Sequence, residues 1–251
     1  MRLDDPDNVR EQYGTTDRLK ARISVWRPGA DGRTRQDVAI EALRAVAPVR
    51  WLEVGPGTGR FAARCAAELG CKVIGADASP AMVAATREAG VQAVQADVQD
   101  LPFADGSFDA AVAAWMLYHV PDVDRALAEL ARVLRPGGRL VAVTNSRDHL
   151  AELWQLVGGR RMESSFTREN GEEQLLRHFP SVERRDVATR AVFPDRKTIV
   201  DYVSTLAGAD VAGRVPELGG PFEAHGVTAV FLADHPVPGT GGSPLQIPRS
   251  T

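Results

Sequence analysis

The sequence predicts an α/β fold, a mostly parallel sheet with helices on both faces. Three observations predict it. Between residues 37 and 145, short apolar runs of strand length alternate with stretches of helical apolar spacing. The first run, Trp51 to Val54, passes through Gly55, Gly57 and Gly59 into a helical pattern carried by Phe61, Cys65 and Leu69. At 251 residues and 44% hydrophobic content, the chain suits one domain with a sizeable core, or one domain with an inserted cap.

Residues 1–36 form an arm. Met1 to Asn8 is polar, and Val9 to Trp26 reads as one helix or two short ones, with Tyr13, Leu19, Ile23 and Trp26 as apolar points. Pro28, Gly29, Asp31 and Gly32 mark a turn. The core, residues 37–235, opens with a helix over Asp37 to Ala47. The glycine strand follows; its turn lets the backbone adopt positive φ and lets a ligand approach closely, and the helix beyond points its first amides into that turn. A second strand, Lys72 to Ala76, ends at Asp77. Ser79-Pro80 then opens a helix with a cap and a first-turn proline, so Asp77 is either a ribose-diol acceptor or a helix N-terminal charge. Met82 suits an adenine face or the core equally. A third strand, Val91 to Ala96, ends at Asp97, which suits either a ligand or an Asx-turn.

The string Leu101-Pro102-Phe103-Ala104-Asp105-Gly106-Ser107-Phe108-Asp109 links to a fourth strand, Ala110 to Ala114, and then to Trp115, Tyr118 and His119. Asp122 to Leu134 is amphipathic, Arg135-Pro136-Gly137-Gly138 stops it, and Arg139 to Thr144 gives a fifth strand. Further on, His149 to Val157, Glu169 to Phe179 and Asp195 to Leu206 read as helices. Val182 to Thr189, Ala191 to Phe193 and Val227 to Ala233 read as strands. Residues 236–251, rich in proline, glycine and serine, read as a disordered tail.

The glycine turn departs from the dinucleotide fingerprint, because Arg60 stands where its last glycine would fall. The pattern E-x-G-x-G-x-G at Glu53 to Gly59, the L-P-F-A-D-G-S-F-D string and L-R-P-G-G at 134–138 together resemble the class I S-adenosylmethionine-dependent methyltransferases, in their small-molecule (type 11) branch. The resemblance implies a Rossmann-like sheet of seven strands, mostly parallel, with the last strand antiparallel and an N-terminal helical lid over residues 1–36. It implies S-adenosyl-L-methionine as cofactor, held by Glu53, Gly55, Gly57, Gly59, Asp77, Ala78, Met82, Asp97, Val98 and Ala114. Among these, Asp97 and the amide of Val98 would meet the adenine, and the Ala114 carbonyl the cofactor's ammonium. Arg22 or Arg27 would pair with its carboxylate. His119 and Tyr13 fall near the reacting methyl group as catalytic candidates; a lone His before an apolar residue suits a structural role as well. Segments 146–172 and 194–222 would line the acceptor pocket, with Trp26, Trp154, Phe166 and Tyr202 as candidate aromatics or plain core.

The implied reaction is methyl transfer to the oxygen or nitrogen of a small molecule, such as a secondary metabolite. RNA or protein methylation and cofactor binding without catalysis are the alternatives. A net charge of −3 leaves no basic footprint for nucleic acid. Cys65 and Cys71 lack metal spacing and fit a reducing compartment, so no metal is expected. With no apolar signal region and no apolar run long enough for a bilayer, the expectation is a cytoplasmic monomer or homodimer without membrane partners.

Overall fold

In the computed structural model, which describes residues 4, 5, 9, 13, 14, 19, 22–28, 32–158 and 164–235, one sheet organises the chain. Its strands are β1 (Trp26–Arg27), β2 (Arg50–Val54), β3 (Lys72–Asp77), β4 (Gln92–Gln95), β5 (Phe108–Ala114), β6 (Leu134–Asn145), β7 (Ser181–Phe193) and β8 (Phe222–Asp234). They lie in the order β1-β7-β8-β6-β5-β2-β3-β4. From β6 to β4 every pairing is parallel. β8 runs antiparallel to both β6 and β7, and β1 antiparallel to β7. The antiparallel last strand matches the sequence expectation.

The helices are α1 (Arg35–Arg44), α2 (Arg60–Leu69), α3 (Pro80–Glu88), α4 (Val123–Val133), α5 (Ala151–Leu156), α6 (Gly171–Leu175), α7 (Arg196–Ala207) and α8 (Ala209–Ala212). Side-chain caps start several of them: Thr34 and Asp37 form a capping box on α1, Ser79 caps α3, Asp122 caps α4 and Asp195 caps α7.

Alternation along the strands sorts the core into two faces. Leu52, Val54, Ala111 and Ala113 pack with Leu127 and Leu130 of α4 on one face. Trp51, Val73, Val112 and Val141 pack with Leu43 of α1 and Phe61 of α2 on the other. A third cluster, under α7 and α8, joins Val25, Leu153, Phe193, Ile199 and Tyr202. Each large side chain so buried contributes about 1.5–3 kcal/mol to stability.

Four expectations change. The described sheet has eight strands, not seven, because Trp26 lies in β1 rather than in a helix. Trp26 pairs with Ala191 and Arg27 with Arg190, which covers backbone groups at one end of the β7 edge. Helical backbone is present at Val9, Leu19 and Arg22–Ser24, while Tyr13 and Gly14 are in a turn and a bend; the other residues of the expected arm helix up to residue 21 lie outside the described residues, as do residues 236–251. The break expected at Arg190 is absent, since β7 pairs with β8 along all of its length. The helix expected over Glu169 to Phe179 shrinks to α6. The L-R-P-G-G turn belongs to β6 as an irregularity: Phe108 pairs with Leu134, and Ala110 already with Arg139.

The chain runs β2, β3, β4 to one side, then returns to place β5 against β2 on the other. That reversal creates a crevice at the strand ends between β2 and β5, the place where open α/β sheets take ligands.

Candidate active site

A cavity of about 440 Å³ opens at this crevice. Glu53, Gly55 and Gly57 line it from the end of β2, and Ala114 and Trp115 from the end of β5. Register explains the meeting, since Val54 stands beside Ala113. Tyr13, Leu19 and Arg22 of the arm close one side, while His149, Trp154 and Tyr202 come from segments beyond β6.

Glycine is required in the turn for physical reasons. Gly59 has φ of 69°, and a Cβ there would lie 2.8 Å from the Thr86 Cα, so α2 and α3 could not pack this closely. Gly57 has φ of 58°, and its Cβ would lie 2.9 Å from the Leu19 side chain, which rests on the turn.

Glu53 is 2% exposed, and its Oε2 has no hydrogen-bond partner among the described residues. Burial, with the nearby charge of Asp77, pushes its carboxyl up to about 8. Asp77 accepts the Ser79 amide at 2.9 Å. Burial also raises Asp77, against the lowering effect of the Ser79 and Gly57 amides. Two acids held near a cavity with their charge disfavoured suit a cationic ligand, which would restore the ionised forms.

Tyr13 and His119 come together: Tyr13 Oη lies 2.8 Å from His119 Nε2. Burial raises the Tyr13 phenol, so at neutral pH it donates to the imidazole. The carbonyl of Tyr13 accepts from Ser79 Oγ at 3.0 Å, which ties the arm to the start of α3. Arg22 stacks over the Tyr13 ring at 5.0 Å. Arg27 instead donates to the carbonyls of Ser24 and Trp26 and does not line this cavity.

The other expected cofactor residues lie beside the cavity rather than in it. Ala78 is exposed, and its carbonyl accepts from Gln95 Nε2 at 3.3 Å. Met82 is fully buried in α3, and Val98 is buried at the end of β4. Asp97 is exposed and accepts the Gln99 amide at 2.9 Å, an Asx-turn. Parallel pairing still puts Gly55, Asp77 and Asp97 at one edge: Gly55 N donates to Ala76 O at 2.8 Å, and Ala96 N to Asp77 O at 3.0 Å.

Sequence reasoning missed Arg35, Trp115 and His149. Arg35 lies between Trp26 and Trp115, 4.2 and 4.4 Å from their rings. Trp115 itself has φ of 55°, an uncommon backbone state for a bulky residue at the end of β5. His149 stacks on the far side of the group, 5.2 Å from Trp26. No local pattern marks these residues, because the sheet brings them together from three distant segments. Among the described residues, no group of His, Cys, Asp and Glu could hold a metal ion, and no helix is long and apolar enough to cross a membrane.

Residues 52–142, from β2 into β6, match the family model described as a methyltransferase domain. A demethylmenaquinone methyltransferase of Thermus thermophilus is 41% identical over 122 residues, 46% of this chain and 55% of that protein. An O-methyltransferase of Penicillium expansum is 42% identical over 166 residues, 57% of this chain and 60% of that protein. The chain thus spans little more than half the length of these relatives. The crystal structure of the [4+2]-cyclase SpnF superposes with a TM-score of 0.60 at 22% identity, covering 91% of this chain and 94% of the other, a likeness of fold. Residues 52–142, which carry the glycine turn at the switch point, are thus similar to methyltransferase domains over the strands that build the crevice.

Proposed function

We propose that this chain transfers the methyl group of S-adenosyl-L-methionine to an oxygen or nitrogen of a small-molecule acceptor. One observation carries the reading: the turn Gly55 to Gly59 and the ends of β2 and β5 meet at a cavity that holds Glu53 with an unpartnered oxygen. When bound, S-adenosylmethionine supplies a methyl group already activated by its sulfonium. The chain supplies position and environment.

In this reading Gly55, Gly57 and Gly59 admit the cofactor to the backbone, and Glu53 and the Ala114 carbonyl face its cationic amino-acid part. Asp77, with Ala78 and Met82 beside it, serves the ribose, and Asp97 and Val98 serve the adenine. Arg22, which lines the cavity where Arg27 does not, takes the cofactor's carboxylate. Residues 1–36 act as the lid, with Leu19 on Gly57 and Tyr13 on Ser79. The segments 146–172 and 194–222 hold the acceptor. Placing acceptor and methyl group in line is worth up to about 7–11 kcal/mol of the barrier. An acceptor hydroxyl bonded to Tyr13 Oη passes its proton to the phenol as the phenol's proton moves to His119 Nε2.

Titration calorimetry with S-adenosylmethionine tests the reading. Binding is expected, weakened at least about tenfold by Asp77→Ala through loss of charged hydrogen bonds. Silence at millimolar cofactor would overturn it. Fold does not dictate chemistry, and a cyclase shares this one. A second reading therefore has the cofactor bound without methyl transfer. Mass spectrometry of products made with methyl-labelled cofactor across an acceptor panel separates the two.

A further inference from the structure

The cavity has two halves with different chemistry. The half over β2 holds Glu53 and the Tyr13–His119 pair, with Asp77 beside it at the end of β3. The half toward β1 and α7 holds Trp26, Trp154, Tyr202 and Arg35. The second half resembles a binding surface for an anion with an apolar body.

Arg35 is the centre of this half. Among the described residues no carboxylate pairs with it, although most arginines in ion pairs of this chain lie on its surface with a carboxylate beside them. The groups whose fields reach it are the phenols of Tyr202 and Tyr118. Two indole rings fix the guanidinium plane, so little ordering is left for a ligand to impose. Trp115, one of those two rings, carries a buried indole N–H without a hydrogen-bond partner among the described residues. Arg35 and Gln36 open α1 and line this wall, and the Thr34–Asp37 capping box already answers the first amides of that helix. A cation held by aromatic faces and an unpaired donor beside it both lack the same thing, an oxyanion.

We propose that Arg35 is the specificity residue for the methyl acceptor, and that the acceptor is a small carboxylic acid whose carboxylate sits on the Arg35 guanidinium with its apolar body against Trp26, Trp154 and Tyr202. The inference rests on the methyltransferase reading for the word acceptor. The binding site does not depend on that reading. Arg22 is the cation on the cofactor half, near Tyr13, and Arg35 lies on the other side, against a ring that His149 also stacks on.

Matched acid and amide probes test this: benzoate with benzamide, 2-naphthoate with 2-naphthamide, and decanoate with decanamide. Each is titrated calorimetrically into the full chain, with and without saturating S-adenosylhomocysteine. In at least one pair the acid binds about tenfold or more tightly than the amide, the gain from a charged hydrogen-bonded pair. Arg35→Gln abolishes that ratio and leaves S-adenosylhomocysteine affinity within about threefold. Arg35→Lys, which keeps the charge and loses the planar stack, restores part of it. Acids no tighter than amides in every pair overturn the proposal. So does an Arg35→Gln protein that keeps the ratio but loses about tenfold in S-adenosylhomocysteine affinity, since the guanidinium then serves the cofactor. Absence of S-adenosylhomocysteine binding in the unaltered chain counts against the methyltransferase reading alone, because the acid-to-amide ratio is also measured without it.

Discussion

Glu53 and His149 give the chain a pH response with two opposed limbs. Glu53 keeps its proton in the fold up to about pH 8, whereas an unfolded glutamate releases it near 4.5. The folded chain therefore binds more protons between those values, and its stability falls as pH rises through that window and levels off above it. The full fall is about 3–5 kcal/mol by linkage. Thermal melts across the window are expected to show this slope, and Glu53→Gln to flatten it. His149 behaves oppositely: burial and then the Arg35 charge push its imidazole down to about 3 from 6.5. Stability is lost there as pH falls from the upper value to the lower, and His149→Gln is expected to lessen that acid limb. A cationic ligand beside Glu53 also draws its proton off. Calorimetry near pH 7 in buffers of different ionisation enthalpy should report release of up to about one proton on cofactor binding, absent in Glu53→Gln. Tyr13→Phe removes the hydroxyl between acceptor and imidazole; it should lower kcat for a hydroxyl acceptor about 10²-fold or more and leave cofactor affinity within a few fold. The glycines and Glu53 were visible in the sequence because neighbours in the chain build that part of the site. Arg35 and His149 were not, because their meaning comes from rings that only the tertiary fold supplies.

The link from Leu101 to Asp109 shows how an irregular element is held. Arg132 on α4 donates to the Phe103 carbonyl at 2.7 Å and the Leu101 carbonyl at 3.0 Å, and pairs with Asp105. Glu129, one turn earlier, accepts the Leu101 amide at 2.8 Å and orients Arg132 through its own carboxylate. At the far end Asp109 accepts the amides of Val49 and Arg50 at 2.8 and 2.7 Å and pairs with Arg135. The string is thus a clamp that sets β2 against β5, and it reaches the site only through that register. Arg132→Ala should cost about 2–4 kcal/mol of unfolding free energy by leaving several partners unmet, measured by urea melts, with Arg132→Lys in between. The string itself was legible as a pattern. The side chains that hold it come from a helix some thirty residues later, so its function as a clamp was not. The same limit explains Trp26, whose spacing looks helical but whose backbone pairs with Ala191 of β7, next to the Val25 carbonyl that accepts from Val192 N.

At the scale of the molecule, the first half of the sheet was readable because β2 runs into Gly55 and β3 ends at Asp77, each followed by a helix signal. The half after β6 was harder: β7 and β8 alternate irregularly, and their length is set by pairing with each other. Cofactor binding should stabilise the whole domain, by about 2.7 kcal/mol at a hundredfold excess over Kd, read as a rise in melting temperature that Asp77→Ala reduces. Tyr13 has a consequence for turnover. Its carbonyl is moored on Ser79 and its phenol on His119, residues forty positions apart on separate strand ends. Under the proposed function, a nucleoside leaving past the arm would therefore also disconnect the proton path. Under the proposed function, the chain would be protected from idle deprotonation, since the proton path would be complete only while the arm is closed.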